Sequence, residues 1–363
     1  MWKPFALCIL VACFIFFWGV YISQPKEITI DKTPLPQAKP PSPFIETVSL
    51  ASPPEQKVII SNYHVFQTFN NCGPAAFSMA LSFYGIHKSQ EELGRQLRPY
   101  QNPQGDNDDK SVTLEELSRA SEEYGFIPFH RPNGSIELIK YFITYDIPII
   151  ARTWTKPNED IGHYRVVKGY DDLSQEIIQD DSLQDKNLRF TYDTFNLLWE
   201  KFNYEYLILV PKDKVETVKT ILGTDTDEKS SWEKAADNAR RKLATNPSDP
   251  YTRFNQAIAL YHIGDYEGSI QEYEKVAKLL PFRTLWYQIE PILAYQKLNR
   301  YQEAFSLIDM VFSSQNRAFS ELYQIRGEMY LMQGKLEAAR QEFEFAIFYN
   351  KNFKPAQDVL ERL

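Results

Sequence analysis

The stretch that decides the fold reads Gln67-Thr68-Phe69-Asn70-Asn71-Cys72-Gly73-Pro74-Ala75-Ala76. It predicts the start of a helix, because Pro74 suits a first helical turn and Gly85 suits the far end. The apolar residues that recur at helical spacing are Phe77, Ala80, Leu81 and Tyr84. Cys72 therefore lies at a helix N-terminus, where the helix dipole favours a thiolate. A thiolate is the nucleophile of a cysteine enzyme, whereas a structural cysteine is simply a small buried residue.

Composition limits the classes of function. A chain of 363 residues suggests two or three domains. The net charge of -8 and the lack of a basic cluster argue against nucleic-acid binding. Two of the three cysteines, Cys8 and Cys13, lie in an N-terminal apolar run, so Cys72 is the candidate reactive thiol. The sequence has no Cys-x-x-Cys and no His-x-x-x-His, so no metal or other cofactor is predicted.

The N-terminus predicts a membrane segment. The apolar run at 5–22 has nearly the length of about 20 residues that a spanning helix needs. We expect 1–22 to be a signal anchor, with the rest of the chain on the extracytoplasmic side, although lysines after the run outnumber the one before it. A cleaved signal peptide and a lipoprotein signal at Leu10-Val11-Ala12-Cys13 are the alternatives. Residues 23–57 are rich in proline and predict a linker.

Residues 58–211 predict one α+β domain, followed by a linker at 212–230. After the cysteine helix, the pattern predicts helices at 89–97, 113–124 and 135–145. It predicts strands at 126–129, 147–152, 162–170, 176–180 and 204–210. The stretch 102–110 is dense in Asn and Asp and predicts a solvated loop. Helices first and strands later favour helices packed on an antiparallel sheet.

The general base is expected among five histidines. His163 opens a predicted strand in Ile161-Gly162-His163-Tyr164-Arg165-Val166-Val167-Lys168-Gly169-Tyr170-Asp171, and the preceding glycine leaves room for a partner. His64 and His130 remain alternatives, and His163 as a purely structural residue is a further one. A base of this kind needs a third group to orient its imidazole.

The returning strand supplies that group. If Tyr170 pairs with Glu176, then Arg165 pairs with Asp181, which lies on the face of His163 within side-chain reach. One extra turn residue would exchange Asp181 for Asp180, because a slip of one residue reverses the faces. Asp181 is favoured and Asp180 is the alternative.

An oxyanion forms during acyl transfer. The backbone N–H of Cys72 and the side-chain amide of Gln67, five residues upstream, are the predicted donors to it. Gln67 as an ordinary surface residue is the alternative.

The residues from 231 onward carry a repeat. Gly264, Asn299 and Gly334 are each 35 residues apart. The same spacing joins Tyr266, Tyr301 and Leu336; Ser269, Ala304 and Ala339; Tyr273, Ile308 and Phe343; and Val276, Val311 and Ala346. This resembles the tetratricopeptide repeat. Repeats at 249–283, 284–318 and 319–352, with flanking helices at 231–245 and 353–363, imply an all-α superhelix that recruits a protein partner or substrate.

The motifs of 58–211 resemble the family 39-like cysteine peptidases. The shared motifs are Gln67, Cys72-Gly73-Pro74-Ala75-Ala76, Gly162 to Asp171 and Asp181-Ser182. The resemblance implies a papain-like fold with Cys72 as nucleophile, His163 as base, Asp181 as orienting residue and Gln67 as oxyanion donor. The family is related to proteases that trim bacteriocin leaders after double glycine. With the repeats, the chain resembles a bacterial arrangement of this domain.

Two departures from the family pattern matter. Many members have Asp-Pro where this chain has Asp181-Ser182. The chain also lacks the Gly-x-x-x-x-Gly-Lys phosphate loop of the exporter-fused leader peptidases, so double-glycine specificity is not implied.

These observations predict a membrane-anchored thiol hydrolase that cleaves peptide bonds in a peptide or protein substrate. A catalytically silent peptide-binding or scaffolding module is one alternative, because a fold does not prove activity. A thiol acyltransferase, which transfers the acyl group to an amine, is another. A reactive thiolate separates both enzymes from the binding module.

Overall fold

The computed structural model describes residues 49–97, 112–314 and 316–363. The predicted anchor at 1–22, most of the predicted linker at 23–57 and the predicted loop at 102–110 lie outside the described residues. Among the described residues, no helix combines the length and the apolar character that a membrane span requires. We call residues 49–226 the sheet domain and residues 227–363 the helical domain.

The described residues of the sheet domain form one seven-stranded sheet. Its strands are β1 Gln56–Val58, β2 Ile127–Arg131, β3 Ile149–Lys156, β4 Glu159–Asp171, β5 Glu176–Asp181, β6 Leu188–Thr191 and β7 Tyr206–Val210. They lie in the order β2-β7-β3-β4-β5-β6, with β1 paired to β4, and the paired strands are antiparallel. The antiparallel sheet agrees with the expectation from the sequence.

Helices cover both faces of this sheet. They are α1 Cys72–Ser82, α2 Gln90–Leu97, α3 Leu114–Glu122, α4 Ile136–Thr144, α5 Tyr192–Trp199 and α6 Val215–Leu222. Neighbouring strand residues alternate between two cores: Ile150 packs with α1 to α3, whereas Ile149 and Ala151 pack with α4 to α6. Each fully buried side chain of this size contributes about 1.5–3 kcal/mol. The two cores hold β4 from both faces, through Val166 on one face and Val167 on the other.

The β4–β5 hairpin has a register that the sequence pattern gives only in part. Next to the turn, Asp171 pairs with Glu176, one residue away from the predicted pairing of Tyr170 with Glu176. A β-bulge between Val167 and Gly169 then shifts the register back, so Arg165 pairs with Asp181. The predicted Arg165–Asp181 pair therefore forms, although the register at the turn differs from the prediction.

The structure differs from the predicted boundaries of the sheet domain in two places. Residues 212–230, predicted as a linker, contain α6, whose Val218 and Leu222 are buried against the sheet. Periodic apolar residues explain this packing. At the other end, β1 includes Gln56 and Lys57 from the predicted linker, because their backbones pair with Asp171 and Tyr170.

The helical domain is built from α7 Glu228–Thr245, α8 Pro250–Ile263, α9 Tyr266–Glu274, α10 Thr284–Tyr287, α11 Glu290–Lys297, α12 Tyr301–Ser313, α13 Ser320–Met332, α14 Leu336–Tyr349 and α15 Lys354–Leu360. The repeat columns predicted from spacing share environments. Ser269, Ala304 and Ala339 are all fully buried. Gly264, Asn299 and Gly334 all have positive φ at the turn between paired helices.

Candidate active site

Cys72 is the first residue of α1 and is only 5% exposed. The side chain of Asn71 does not cap this helix, whereas Thr113 and Ser135 cap α3 and α4. A side-chain cap normally accepts hydrogen bonds from first-turn N–H groups. Cys72 therefore lies at the positive end of α1, the position in which a helix dipole favours a thiolate.

Gly73 allows α1 to approach β4 closely. A Cβ at Gly73 would stand 3.1 Å from the Cβ of Val112 and 3.6 Å from the ring of Tyr164. The Tyr164 hydroxyl donates a hydrogen bond of 2.6 Å to the carbonyl of Val112. This bond joins the two residues that pack against Gly73. The small residue after the cysteine is therefore a packing requirement that brings Cys72 to His163, one residue before Tyr164.

His163 lies on β4 between Cys72 and Asp181. Its Nε2 is 2.8 Å from Oδ1 of Asp181, and its side chain is also hydrogen-bonded to Cys72. Because Nε2 faces Asp181, Nδ1 is the ring nitrogen that remains for the sulfur. The structure thus brings together three of the predicted site residues in the order thiol, imidazole, carboxylate.

The charges of this group support each other. Burial lowers the pKa of His163, but the hydrogen bonds to Asp181 and Cys72 and the charge of Asp181 outweigh it, so the pKa lies above its usual value. Burial raises the pKa of Asp181, but the hydrogen bond and charge of His163, followed by the charge of Arg165, bring it down to about 2. An ionised Asp181 stabilises an imidazolium, and an imidazolium stabilises a thiolate.

Asp180 and Asp181 are adjacent, fully buried and differently used. Lys168 donates a hydrogen bond of 2.7 Å to Asp180, and the backbone N–H of Asn187 donates another of 2.9 Å. Asp180 thus pairs with a lysine, whereas Asp181 pairs with His163. The geometry favours Asp181 as the orienting residue.

Gln67 is held beside the carboxylate strand. Its backbone N–H donates to the carbonyl of Ser182 at 2.8 Å, and the Ser182 hydroxyl donates to Oε1 of Gln67 at 2.9 Å. This arrangement directs the carbonyl end of the side chain to Ser182 and leaves Nε2 as the donor for an oxyanion. Two hydrogen bonds thus join Ser182 to Gln67, one through the Gln67 backbone and one through its side chain.

Comparisons with known proteins bear on the sheet domain. Residues 55–207 match the model of the Peptidase_C39 like family. This part of the chain has a C39-like fold. Residues 55–207 are called the C39-like region below. The helical domain follows it, outside the matched residues.

The solved structures that resemble this chain include peptidases and tetratricopeptide repeat proteins. A protein described as a C39-like peptidase from Bacillus anthracis is 17% identical, with a TM-score of 0.36, and the match covers 43% of this chain and 98% of that one. The peptidase domain of Streptococcus ComA, a bi-functional ABC transporter involved in quorum sensing, is 24% identical, with a TM-score of 0.33 and coverages of 41% and 97%. A tetratricopeptide repeat protein from Parabacteroides merdae is 18% identical, with a TM-score of 0.30 and coverages of 39% and 60%. No curated protein matches the sequence.

Three of the other histidines, His64, His130 and His262, lie in environments that differ from that of His163. In the C39-like region, His64 places a ring nitrogen 3.0 Å from the backbone carbonyl of Asp181, and His130 pairs with Glu205 at 2.9 Å. His262 stacks on Trp232 in the helical domain. His64 thus supports the strand that carries Asp181, and neither His64 nor His130 is placed as His163 is. In the part of the chain that the structure describes, no group of three or more His, Cys, Asp or Glu side chains is arranged as a metal site.

Arg165 is a functional candidate to which the sequence analysis assigned no role. Its Nε lies 3.0 Å from Oδ2 of Asp181, although the N–H is not aligned for a hydrogen bond. Its other nitrogens donate to the carbonyls of Trp154 and Thr155 at 2.7 and 2.6 Å. Burial lowers the pKa of Arg165 to about 10, against the pull of Asp181, so the side chain is cationic at neutral pH. The signal was present, since Arg165 shares a strand face with His163 and pairs with Asp181.

Gln90 is a second residue that sequence reasoning missed. This buried side chain accepts from the backbone N–H of Thr68 at 2.9 Å and donates to the carbonyl of Phe66 at 2.8 Å. Both contacts are next to Gln67 in the chain, so Gln90 fixes the backbone on either side of it. A glutamine near the start of a helix carries no pattern that would predict this contact.

Proposed function

We propose that this chain is a cysteine peptidase that hydrolyses peptide bonds with Cys72, His163 and Asp181. The hydrogen-bonded series from Cys72 through His163 to Asp181 is the observation that supports this proposal. The match of residues 55–207 to a peptidase-like family supports the same reaction class. Fold and residue types alone do not establish activity, so the proposal is tested by chemistry.

Each residue has one role in the proposed reaction. The Cys72 thiolate attacks the carbonyl carbon of the scissile amide and forms a carbon–sulfur bond. The resulting oxyanion accepts hydrogen bonds from the backbone N–H of Cys72 and from Nε2 of Gln67. The carbon–nitrogen bond then breaks while His163 gives its proton to the leaving amine.

Water completes the cycle. His163 takes a proton from a water molecule, and the water oxygen attacks the thioester carbon. The carbon–sulfur bond breaks, the acid product leaves, and the proton on His163 restores the imidazolium–thiolate pair. Asp181 remains ionised throughout and holds the imidazole in the productive tautomer.

The products of a peptide library in heavy-oxygen water test this proposal. We expect the full-length chain to generate new carboxyl termini that carry the heavy oxygen, and we expect Cys72→Ala to generate none. Products that carry an added amine in place of the heavy oxygen would instead indicate acyl transfer. A chain that cleaves nothing, and whose thiol reacts at the same rate after His163→Ala, would overturn the enzyme proposal in favour of a binding module.

We also propose that residues 1–22 anchor the protein in a membrane, with the sheet and helical domains on the extracytoplasmic side. The apolar run at 5–22 supports this. A protease added outside intact cells is expected to digest the domains of the full-length chain. Protection of the domains until the membrane is opened would contradict this orientation.

The helical domain is proposed to recruit a protein partner or the substrate. Its support is the shared phase of the repeat columns, since stacked repeats of this kind present extended binding surfaces.

A further inference from the structure

Residues 283–288 of the helical domain, here called the blocking segment, lie against the catalytic residues. The ring of Tyr287 comes within 3.1 Å of the point where a Cβ would stand on Gly162, the residue before His163. The Tyr287 hydroxyl lies near the backbone of Gly162 and within electrostatic range of Cys72. Phe202 packs against the same ring with centroids 5.9 Å apart.

This contact leaves no room for a substrate chain beside Gly162. Cβ positions point out of the plane of a sheet, so the ring lies over the face of β4 at Gly162 and occupies the space that a substrate chain would need there. Cys72 and His163 are correspondingly 5% and 2% exposed.

The sequence of the helical domain explains why the blocking segment has its shape. Pro291 has no backbone N–H, so it cannot donate the helical hydrogen bond to the carbonyl of Tyr287. The helical conformation is interrupted at this point, between α10 and α11. The Tyr287 carbonyl instead accepts a hydrogen bond of 2.9 Å from Arg152 on β3. The interruption of the repeat helix thus creates a bond to the sheet domain.

Polar contacts hold both ends of the blocking segment. Arg283 forms an ion pair of 2.7 Å with Asp160, at the start of β4. Gln288 donates a hydrogen bond of 3.3 Å to the carbonyl of Lys201. The Arg283–Asp160 pair is partly exposed to solvent, and ion pairs of that kind hold weakly. A movement of the helical domain away from β4 would break both contacts.

A cavity beside Tyr287 gives the segment space to move. It has a volume of 590 Å³ and is lined from both domains, with Arg152 and Glu205 on one side and Trp286 and Glu290 on the other. Tyr287 lines this cavity and also contacts Gly162. Withdrawal of the ring toward the cavity would uncover the face of β4 at Gly162, the residue before His163.

We propose that the blocking segment is an autoinhibitory element, which closes the substrate path to Cys72 and His163 until the helical domain moves. The idea rests on the proposed peptidase function for its biological meaning. Its steric part stands alone, because access to a thiol is measurable whether or not the thiol is catalytic.

The test compares two alkylating reagents on the full-length chain carrying Cys8→Ser and Cys13→Ser, which leaves one thiol. Iodoacetamide is the small reagent, and a maleimide on a polyethylene glycol chain is the bulky one. We expect Tyr287→Ala to raise the bulky-to-small rate ratio at Cys72 by at least about tenfold, as removal of a central interface aromatic does. Arg283→Ala should raise it by up to about fivefold, the scale of an exposed ion pair.

Controls separate this effect from general loosening of the fold. Arg253→Ala breaks an ion pair of 2.5 Å with Glu272, which lies within the helical domain, and should leave the ratio unchanged. Reversal at either Asp160→Arg or Arg283→Asp should raise the ratio, and the double variant should restore it. This pair of reversals keeps the test decisive if Tyr287→Ala fails to fold.

An unchanged ratio in Tyr287→Ala and in both reversals would overturn the autoinhibition proposal. Failure of the peptidase proposal looks different, because an unactivated thiol would titrate like ordinary cysteine in every variant while the ratio still changed.

Discussion

Replacement of the two neighbouring aspartates provides an internally matched test of the site. Asp180 and Asp181 are both fully buried, adjacent and paired with a buried cation, but only Asp181 contacts His163. Asp180→Asn and Asp181→Asn should therefore both destabilise the fold, whereas only Asp181→Asn should slow the reaction of Cys72. The two variants replace the same residue type at the same degree of burial. A difference between their alkylation rates therefore reports the contact of Asp181 with His163.

The cost in stability can be worked out from the contacts. Removal of one partner of a buried ion pair costs about 3–5 kcal/mol. In Asp181→Asn, Arg165 keeps its hydrogen bonds to the carbonyls of Trp154 and Thr155. We therefore expect this variant to lose about 3 kcal/mol of unfolding free energy. Lys168 forms no other ion pair among the described residues, so we expect Asp180→Asn to lose about 5 kcal/mol of unfolding free energy.

The cost in reactivity follows from the hydrogen bond to His163. A charge-assisted hydrogen bond contributes about 1.5–3 kcal/mol. At about 1.36 kcal/mol per tenfold, its loss lowers the thiolate population, and the alkylation rate below the inflection, by at least about tenfold. Asp180→Asn should keep the wild-type rate, because it leaves His163 and Asp181 in place.

Urea unfolding followed by tryptophan fluorescence measures the first effect, and alkylation by iodoacetamide measures the second. Both use the full-length chain with Cys8→Ser and Cys13→Ser. The reasoning is refuted if Asp180→Asn slows alkylation as much as Asp181→Asn does. It is also refuted if Asp181→Asn loses stability with no change in rate.

Three further predictions follow from the site. Gln67→Ala should lower the cleavage rate by about 10²–10³ while the alkylation profile of Cys72 stays unchanged, because it removes an oxyanion donor only, and cleavage at the wild-type rate would exclude that role. Gly73→Ala should cost about 1–3 kcal/mol in urea unfolding, because its Cβ would meet Val112 at 3.1 Å, and unchanged stability would show that Val112 moves aside. The pKa of Asp181 is lowered from 3.8 to about 2, so its charge stabilises the fold above the unfolded-state value, and about 2 kcal/mol of that stability is lost as the pH falls through the folded value. Unfolding measured against pH should show this loss in the wild type and not in Asp181→Asn, and an identical acid response in both would contradict it.

The local features of the site were predictable from the sequence. The helix that starts at Cys72 follows from Pro74, the spacing of apolar residues and Gly85. The hairpin pattern also predicted the Arg165–Asp181 pair. The structure forms that pair through two changes of register that compensate for each other. The turn pairs Asp171 with Glu176, and the bulge near Lys168 restores the register. A bulge leaves no clear mark in a single sequence, because its extra residue is an ordinary one.

The elements that the sequence analysis missed have weak local patterns. β6 is a four-residue strand with a half-buried face, and α5 directly follows it, so neither shows a long periodic run. α6 has apolar residues at helical spacing, Val215, Val218 and Leu222, but its eight residues make only about two turns, too few to distinguish a helix from a linker. Packing against the sheet, which no local pattern encodes, stabilises these short elements.

Long-range contacts around the site were not predictable. Arg152 and Tyr287 are 135 residues apart, and no pairing pattern joins a strand to an interrupted repeat helix. The one sequence clue is Pro291, which frees the Tyr287 carbonyl. Gln90 likewise acts through Thr68 and Phe66, which lie 22 and 24 residues before it.

The most direct test of the central claim is the alkylation rate of Cys72 as a function of pH, in the wild-type site and in His163→Ala, on the full-length chain with Cys8→Ser and Cys13→Ser. We predict an inflection well below the ordinary cysteine value of about 8.5, lost in His163→Ala. A slow thiol that titrates at or above that value, and does not respond to His163→Ala, would contradict the activated pair and the peptidase proposal with it.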